Sequence, residues 1–163
     1  MKRVFSPERI IILFLAFFIC SCSKGIKTVD EHDTNIIKGK WKLISRKFDP
    51  DTTFSPTPDS VVYHKIITDE TFIWYYYDSD GKDIIGMAGG GYRLEGGSYT
   101  EIVEFHHPTG PNILGSSIPF KCEVIDDKWY HSGFINERIY DEEIDDYVVT
   151  AERRLEEIWE RLE

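Results

Sequence analysis

From residue 39 onward, apolar and polar residues alternate in short runs rather than at helical spacing. The runs are WKLISRKF (41–48), VVYHKIIT (61–68), TFIWYYYD (71–78), DIIGMAGGGYRLE (83–95), SYTEIVEFH (98–106), PFKCEVID (119–126) and KWYHSGFIN (128–136). β-Branched and aromatic residues fill them, and Asp80-Gly81, Gly96-Gly97 and Asp126-Asp127 punctuate them, which is the signature of strands joined by hairpin turns. Strands that follow one another without intervening helices predict an all-β antiparallel barrel or sandwich. In the last stretch, DYVVTAERRLEEIWERLE (146–163), Val148, Ala151, Leu155, Ile158, Trp159 and Leu162 fall at helical spacing. Local periodicity therefore favours a helix there, although the same residues also suit a closing strand. With that segment as the eighth strand, a barrel closes around space for one small ligand.

Two longer connections interrupt the strand pattern, at residues 49–60 and 107–118. Connections of this length often carry binding residues or act as lids. The first is expected to cover the open end of the barrel.

The segment before residue 38 has a different texture. Lys2, Arg3 and Arg9 precede an uninterrupted apolar run, IIILFLAFFI (10–19). A basic start and a short apolar run describe a secretory signal peptide, too short for the roughly 20 residues of a spanning helix. The following ICSCSKG resembles the lipobox of bacterial lipoproteins, in which a small residue precedes a cysteine that is lipidated after cleavage. Ser21-Cys22 fits that pattern, and Cys20, directly after bulky Ile19, does not. The resemblance implies a signal peptide over residues 1–21 and Cys22 as the lipid-bearing N-terminus. It also implies a membrane anchor in the cell envelope, most naturally at the outer membrane. Residues 22–37 are polar and lack a period, and are expected to form a tether; some 15 extended residues reach on the order of 50 Å. With Cys22 acylated, Cys122 is left without a disulfide partner, so the domain must rely on its own core.

Charge narrows the partners. The chain carries a net charge of −10, and residues 1–21 hold three cations and one anion, so the remaining 142 residues carry −12. No basic stripe offsets this, which argues against a nucleic-acid partner. The acidic block YDEEIDDY (140–147) is expected to be a solvated loop or hairpin; it lacks the ligand spacing of an EF-hand.

Gly39-Lys40-Trp41 opens the first strand and a long loop follows it, which resembles the start of a lipocalin, or more widely a calycin. The ordered set FIWYYYD…GGGYRLEGGSYTEIVEF…KWYHSG…EEIWERL further resembles small lipocalin-like lipoproteins of Gram-negative bacteria. The resemblance spans residues 38–163 and implies an up-and-down barrel of about eight strands, with the last segment a strand. It also implies that Trp41 packs at the closed end beneath an arginine from the last strand, here Arg161.

Inside such a barrel alternate residues face inward. In SYTEIVEF the more apolar face is Tyr99, Glu101, Val103 and Phe105, which would bury a carboxylate that needs a partner. His131, on one face with Trp129, is the candidate partner. Trp74, Tyr76 and Tyr92 would add aromatic walls, making Trp74, Tyr76, Tyr92, Glu101 and His131 the candidate ligand-binding set. Cys122 alternates with Phe120 and Val124 as a small buried hydrophobe. Signals for catalysis are weak: no H-E-x-x-H, C-x-x-C or G-x-S-x-G occurs, and a zinc site drawn from His64, His106 or His131 with Glu101 or Glu104 is the lesser alternative to a metal-free domain. The sequence therefore predicts a non-enzymatic protein without cofactor or metal that captures a small hydrophobic or amphipathic molecule. Two alternatives stand beside this reading. One is a filled barrel that serves as an envelope adaptor for a protein or glycan. The other is a weak hydrolase or isomerase built on Glu101 and His131.

Overall fold

The computed structural model describes residues 27–28, 36–107 and 113–162; the segments expected to be signal peptide, lipidated Cys22 and most of the tether lie outside these. Eight antiparallel strands form the domain: β1 (Gly39–Phe48), β2 (Val61–Ile67), β3 (Thr71–Asp78), β4 (Ile84–Glu95), β5 (Ser98–His107), β6 (Ser117–Ile125), β7 (Lys128–Asp141) and β8 (Asp146–Arg161). Each strand pairs with the next in sequence, and β8 returns to β1, with Arg161 opposite Trp41 and Leu155 opposite Phe48. The sheet is thus a closed up-and-down barrel, which leaves no free edge around its wall. The C-terminal segment is strand throughout 146–161. Its helical spacing loses because a strand there satisfies the facing ladders of both β1 and β7.

One end is shut by tight turns. Asp126-Asp127 and Gly96-Gly97 both take positive φ at two successive residues, the twist that a two-residue hairpin requires. Beneath these turns lies the densest packing. Trp41, Tyr99 and Trp129 are fully buried, with Trp41 edge-on to Trp129 at 5.4 Å and Tyr99 edge-on to Trp129 at 5.2 Å. The Arg161 guanidinium stands 4.1 Å from the centre of the Trp41 ring and donates to the carbonyls of Lys38 (2.6 Å) and Ile36 (2.5 Å). A guanidinium over an indole contributes roughly 0.5–2 kcal/mol. Ile37 is also fully buried, and its carbonyl accepts the Trp41 indole N–H at 2.8 Å. Further back, Lys27–Thr28 pair with Glu123 and Val124 of β6.

The opposite end carries the longer connections. Residues 49–60 do not lie loose across it: Ser55–Pro56 pair with Ser45 and Arg46 of β1, and the Thr57 amide and hydroxyl bond to the carbonyls of Ile44 and Leu43. β7 and β8 run on past the barrel wall. From residue 134 to 141, β7 pairs with β8 alone, so the two strands project as a ribbon. The acidic block forms its tip.

Of the four register shifts among the described strands, two matter for the residues that line the interior. Between Leu43 and Ser45, Ile44 has no partner on β8, so Trp41 and Leu43 point in below it while Arg46 and Phe48 line the interior above it. Between Val103 and Phe105, Glu104 has no partner on β4. Tyr99, Glu101 and Val103 point in as expected, but Phe105 is turned outward, 43% exposed, and His106 replaces it inside. One extra residue reverses the alternation of everything beyond it. Glycines make room for the second bulge. A Cβ on Gly90 would lie 2.1 Å from the Ile102 carbonyl oxygen, and one on Gly89 would lie 2.5 Å from the Phe105 ring.

Candidate functional site: a cavity in the open half of the barrel

Above the packed end the barrel is hollow, with a cavity of about 380 Å³. Its walls include Phe48, Tyr63, Trp74, Tyr76, Phe120, Leu155 and Trp159. The run Trp74–Tyr77 alternates as a strand must: Trp74 and Tyr76 face in, 6.4 Å apart and nearly parallel, while Tyr75 and Tyr77 flank His64. Tyr63, the cross-strand neighbour of Tyr76, stacks on it at 4.7 Å. Ile113, from the connection after β5, also lines the cavity, whereas residues 49–60 contribute no lining side chain.

The floor of the cavity is charged. Glu101 is 3% exposed and Lys65 2% exposed, and they meet at 2.7 Å. Lys65 sits among aromatic rings, its Nζ 4.9 Å from the centre of Trp159, 5.3 Å from Trp129 and 5.9 Å from both Tyr99 and Phe120. Bare burial of either charge would be costly. The pair and the surrounding ring faces together offset that cost.

Next to this pair lies a second one. His131 Nδ1 is 3.1 Å from Glu157 Oε2, which also accepts the Trp159 indole N–H at 3.0 Å. Because the partner is a carboxylate, Nδ1 carries the proton and Nε2 presents a lone pair. Burial, and then the Lys65 cation, hold the imidazole below its ordinary value, against the pull of Glu157. It is therefore neutral at pH 7. Burial pushes Glu157 up, but the bond from His131, the Lys65 charge and the Trp159 bond outweigh it, so its carboxyl is held below the usual range. Phe120 stacks against the imidazole at 3.8 Å. His131 Nε2, the Tyr99 hydroxyl and the Trp129 indole N–H are buried with no hydrogen-bond partner among the described residues. Glu101 raises the Tyr99 phenol electrostatically, second to burial, although no bond of hydrogen-bond geometry joins them.

No protein-family model matches this chain, and no curated protein matches it in sequence. The lipocalin resemblance accordingly rests on architecture: a closed, antiparallel, eight-stranded barrel agrees with a lipocalin-like fold.

Of the residues singled out from sequence, Trp74, Tyr76, Glu101 and His131 line the cavity. Tyr92 does not. Its ring packs 5.4 Å from Tyr99, and its hydroxyl donates to the Thr68 carbonyl at 2.9 Å in the β2–β3 turn, at the closed end. The expected Glu101–His131 partnership is also replaced, since Glu101 bonds Lys65 and His131 bonds Glu157. Lys65, Glu157, Arg46, His106 and Arg153 line the cavity as well and were not in the ligand-binding set expected from sequence. A signal existed for two of them. Lys65 alternates with Tyr63 and Ile67, and Glu157 lies on one strand face with Arg161. For Arg46 and His106 simple alternation points the wrong way, because each follows a bulge.

Cys122 stands across the strand pair from His131, but burial pushes its thiol up to about 11, so it stays protonated and non-nucleophilic. No group of three or more metal-ligating side chains converges among the described residues.

Proposed function

We propose that this chain is an exported, lipid-anchored envelope protein whose barrel captures a small, largely apolar or amphipathic molecule without transforming it. The observation that carries the reading is the cavity itself: about 380 Å³, walled by aromatic and aliphatic side chains with a few convergent polar groups. Ligand sites have this form and begin at about 300 Å³. The anchor is read from the Ser21-Cys22 lipobox and places the protein in the cell envelope, at the outer membrane.

The test is a native mass spectrum of the purified protein after incubation with a lipid and metabolite extract of its own cells. A discrete added mass that disappears on Trp74→Ala supports capture. A clean unliganded mass across several extracts overturns it. The anchor is tested separately, by incorporation of labelled palmitate that Cys22→Ser must abolish.

One feature favours a second reading, in which the protein is an adaptor. The β7–β8 ribbon projects past the barrel and exposes Ile139, Tyr140, Ile144 and Val149 beside its acidic tip. If the barrel proves empty, replacing these four residues and assaying co-purifying proteins tests that role.

A further inference from the structure

The cavity's charges are arranged unevenly along its depth. At the floor, the one cation, Lys65, is already matched with Glu101, and a second carboxylate, Glu157, lies close by. Toward the open end, Arg46 and Arg153 line the cavity; Glu157, which stands opposite Arg46 in the β1–β8 ladder, is taken up by His131 and Trp159. Both guanidiniums lie over the same ring, Arg46 at 5.5 Å and Arg153 at 5.0 Å from the centre of Phe48. Arg46 also lies 5.1 Å from the centre of Tyr63. Arg153 Nη2 donates to the Asp49 carbonyl at 3.3 Å. Arg46 makes no ion pair among the described residues, although acidic side chains outnumber basic ones in the chain, 29 to 19.

An arginine without a carboxylate is conspicuous in so acidic a protein. Its position results from the bulge at Ile44, which turns Arg46 inward and would otherwise leave it facing solvent. The Phe48 and Tyr63 rings hold the Arg46 guanidinium at the cavity wall without supplying a carboxylate, and its N–H donors suit a planar or tetrahedral anion. At the floor the same anion would meet two carboxylates.

Resting on the capture reading above, we infer that the captured molecule is an anionic amphiphile, its charged head held at the open end by Arg46 beside Arg153. Its apolar body runs down between Trp74, Tyr76 and Trp159. Carboxylate and phosphate heads share the required chemistry, and both enter the test. A head of this kind reverses the polarity that Glu101 and His131 alone suggest.

The experiment uses the full chain and four probes with one tail: octanoate, octyl phosphate, octanol and octyltrimethylammonium. Binding is followed by saturation-transfer NMR and by titration calorimetry. One or both anions are expected to bind at least about tenfold more tightly than octanol, as charge-assisted hydrogen bonds permit. Added KCl should weaken the anion and leave octanol unchanged. Arg46→Gln should remove most of the anion's advantage over octanol, both measured on the same variant, and Arg46→Lys should keep part of it. The preferred anion identifies the head as carboxylate or phosphate. Equal binding of octanol and the anions, salt-independent anion binding, or undiminished anion binding by Arg46→Gln overturns the inference while leaving capture intact. Failure of all four probes to bind overturns both.

Discussion

Replacing Glu101 with glutamine leaves the Lys65 ammonium buried without its counter-charge, while replacing Lys65 with methionine does the reverse to Glu101. Breaking a buried ion pair from one side costs about 3–5 kcal/mol, because the surviving charge is stranded. The structure makes the two sides unequal. Lys65 Nζ lies within 5.9 Å of four aromatic ring centres, whose faces attract a cation. Glutamine also keeps an oxygen in reach of the ammonium. Glu101→Gln should therefore cost near the lower bound, about 3 kcal/mol. Those ring faces offer no such attraction to a stranded Glu101 carboxylate, so Lys65→Met should cost near the upper bound, about 5 kcal/mol. The double variant Lys65→Met/Glu101→Leu strands neither partner of the pair and should lose less than either single change, although Glu157 then keeps only its bonds from His131 and Trp159. Urea unfolding of the purified protein reads all three. At a slope of about 2 kcal/mol/M, the single variants lose roughly 1.5 M and 2.5 M in midpoint. The reasoning fails if Glu101→Gln is the more damaging single change, or if the double variant loses the sum of the two.

Three further outcomes follow from the packing. Burial holds His64 and His131 below their ordinary value, so below pH 6.5 the unfolded chain takes up protons that the folded one refuses; the bonds to Glu157 hold its carboxyl down and add to this only below about pH 4.5. Stability is then full above that pH and falls as the pH drops, each group adding at most about 1.4 kcal/mol per pH unit. A thermal midpoint that stays level from pH 7 to pH 5 would contradict this. Gly90→Ala drives a Cβ to 2.1 Å from the Ile102 carbonyl oxygen and should cost about 2 kcal/mol or more, seen as a lower urea midpoint. With its thiol near 11 and its side chain buried, Cys122 should resist iodoacetamide at pH 8 in the folded protein and react in urea, as peptide mapping will report.

The fold was legible because its signal is local. Period-two runs and the Gly96-Gly97 and Asp126-Asp127 turns dictate strands and hairpins by steric rules that act over a few residues. The final strand was less so: Leu155, Ile158, Trp159 and Leu162 satisfy a helical period, and only the ladders on both sides decide between the two. In the site, Trp74, Tyr76, Glu101 and His131 could be found from alternation alone. Partner choice could not, because whether Glu101 meets Lys65 or His131 depends on where four separate strands place their side chains across the barrel. Alternation failed outright at Phe105, where the extra residue Glu104 turns the ring outward and brings His106 in.

The bulged residues also mark where the chain can change length. Ile44 and Glu104 occupy strand positions without holding a place in the facing ladder. Deleting either would regularise its strand while keeping Arg46, Phe48 or His106 turned inward. Straightening the ladder without a deletion would instead exchange the inner and outer faces of that strand's upper half. At Ile44 and Glu104, then, a slip of the ladder rewrites the lining of the mouth while a one-residue loss preserves it, and the sealed end, with Trp41, Tyr99 and Trp129, is untouched by either.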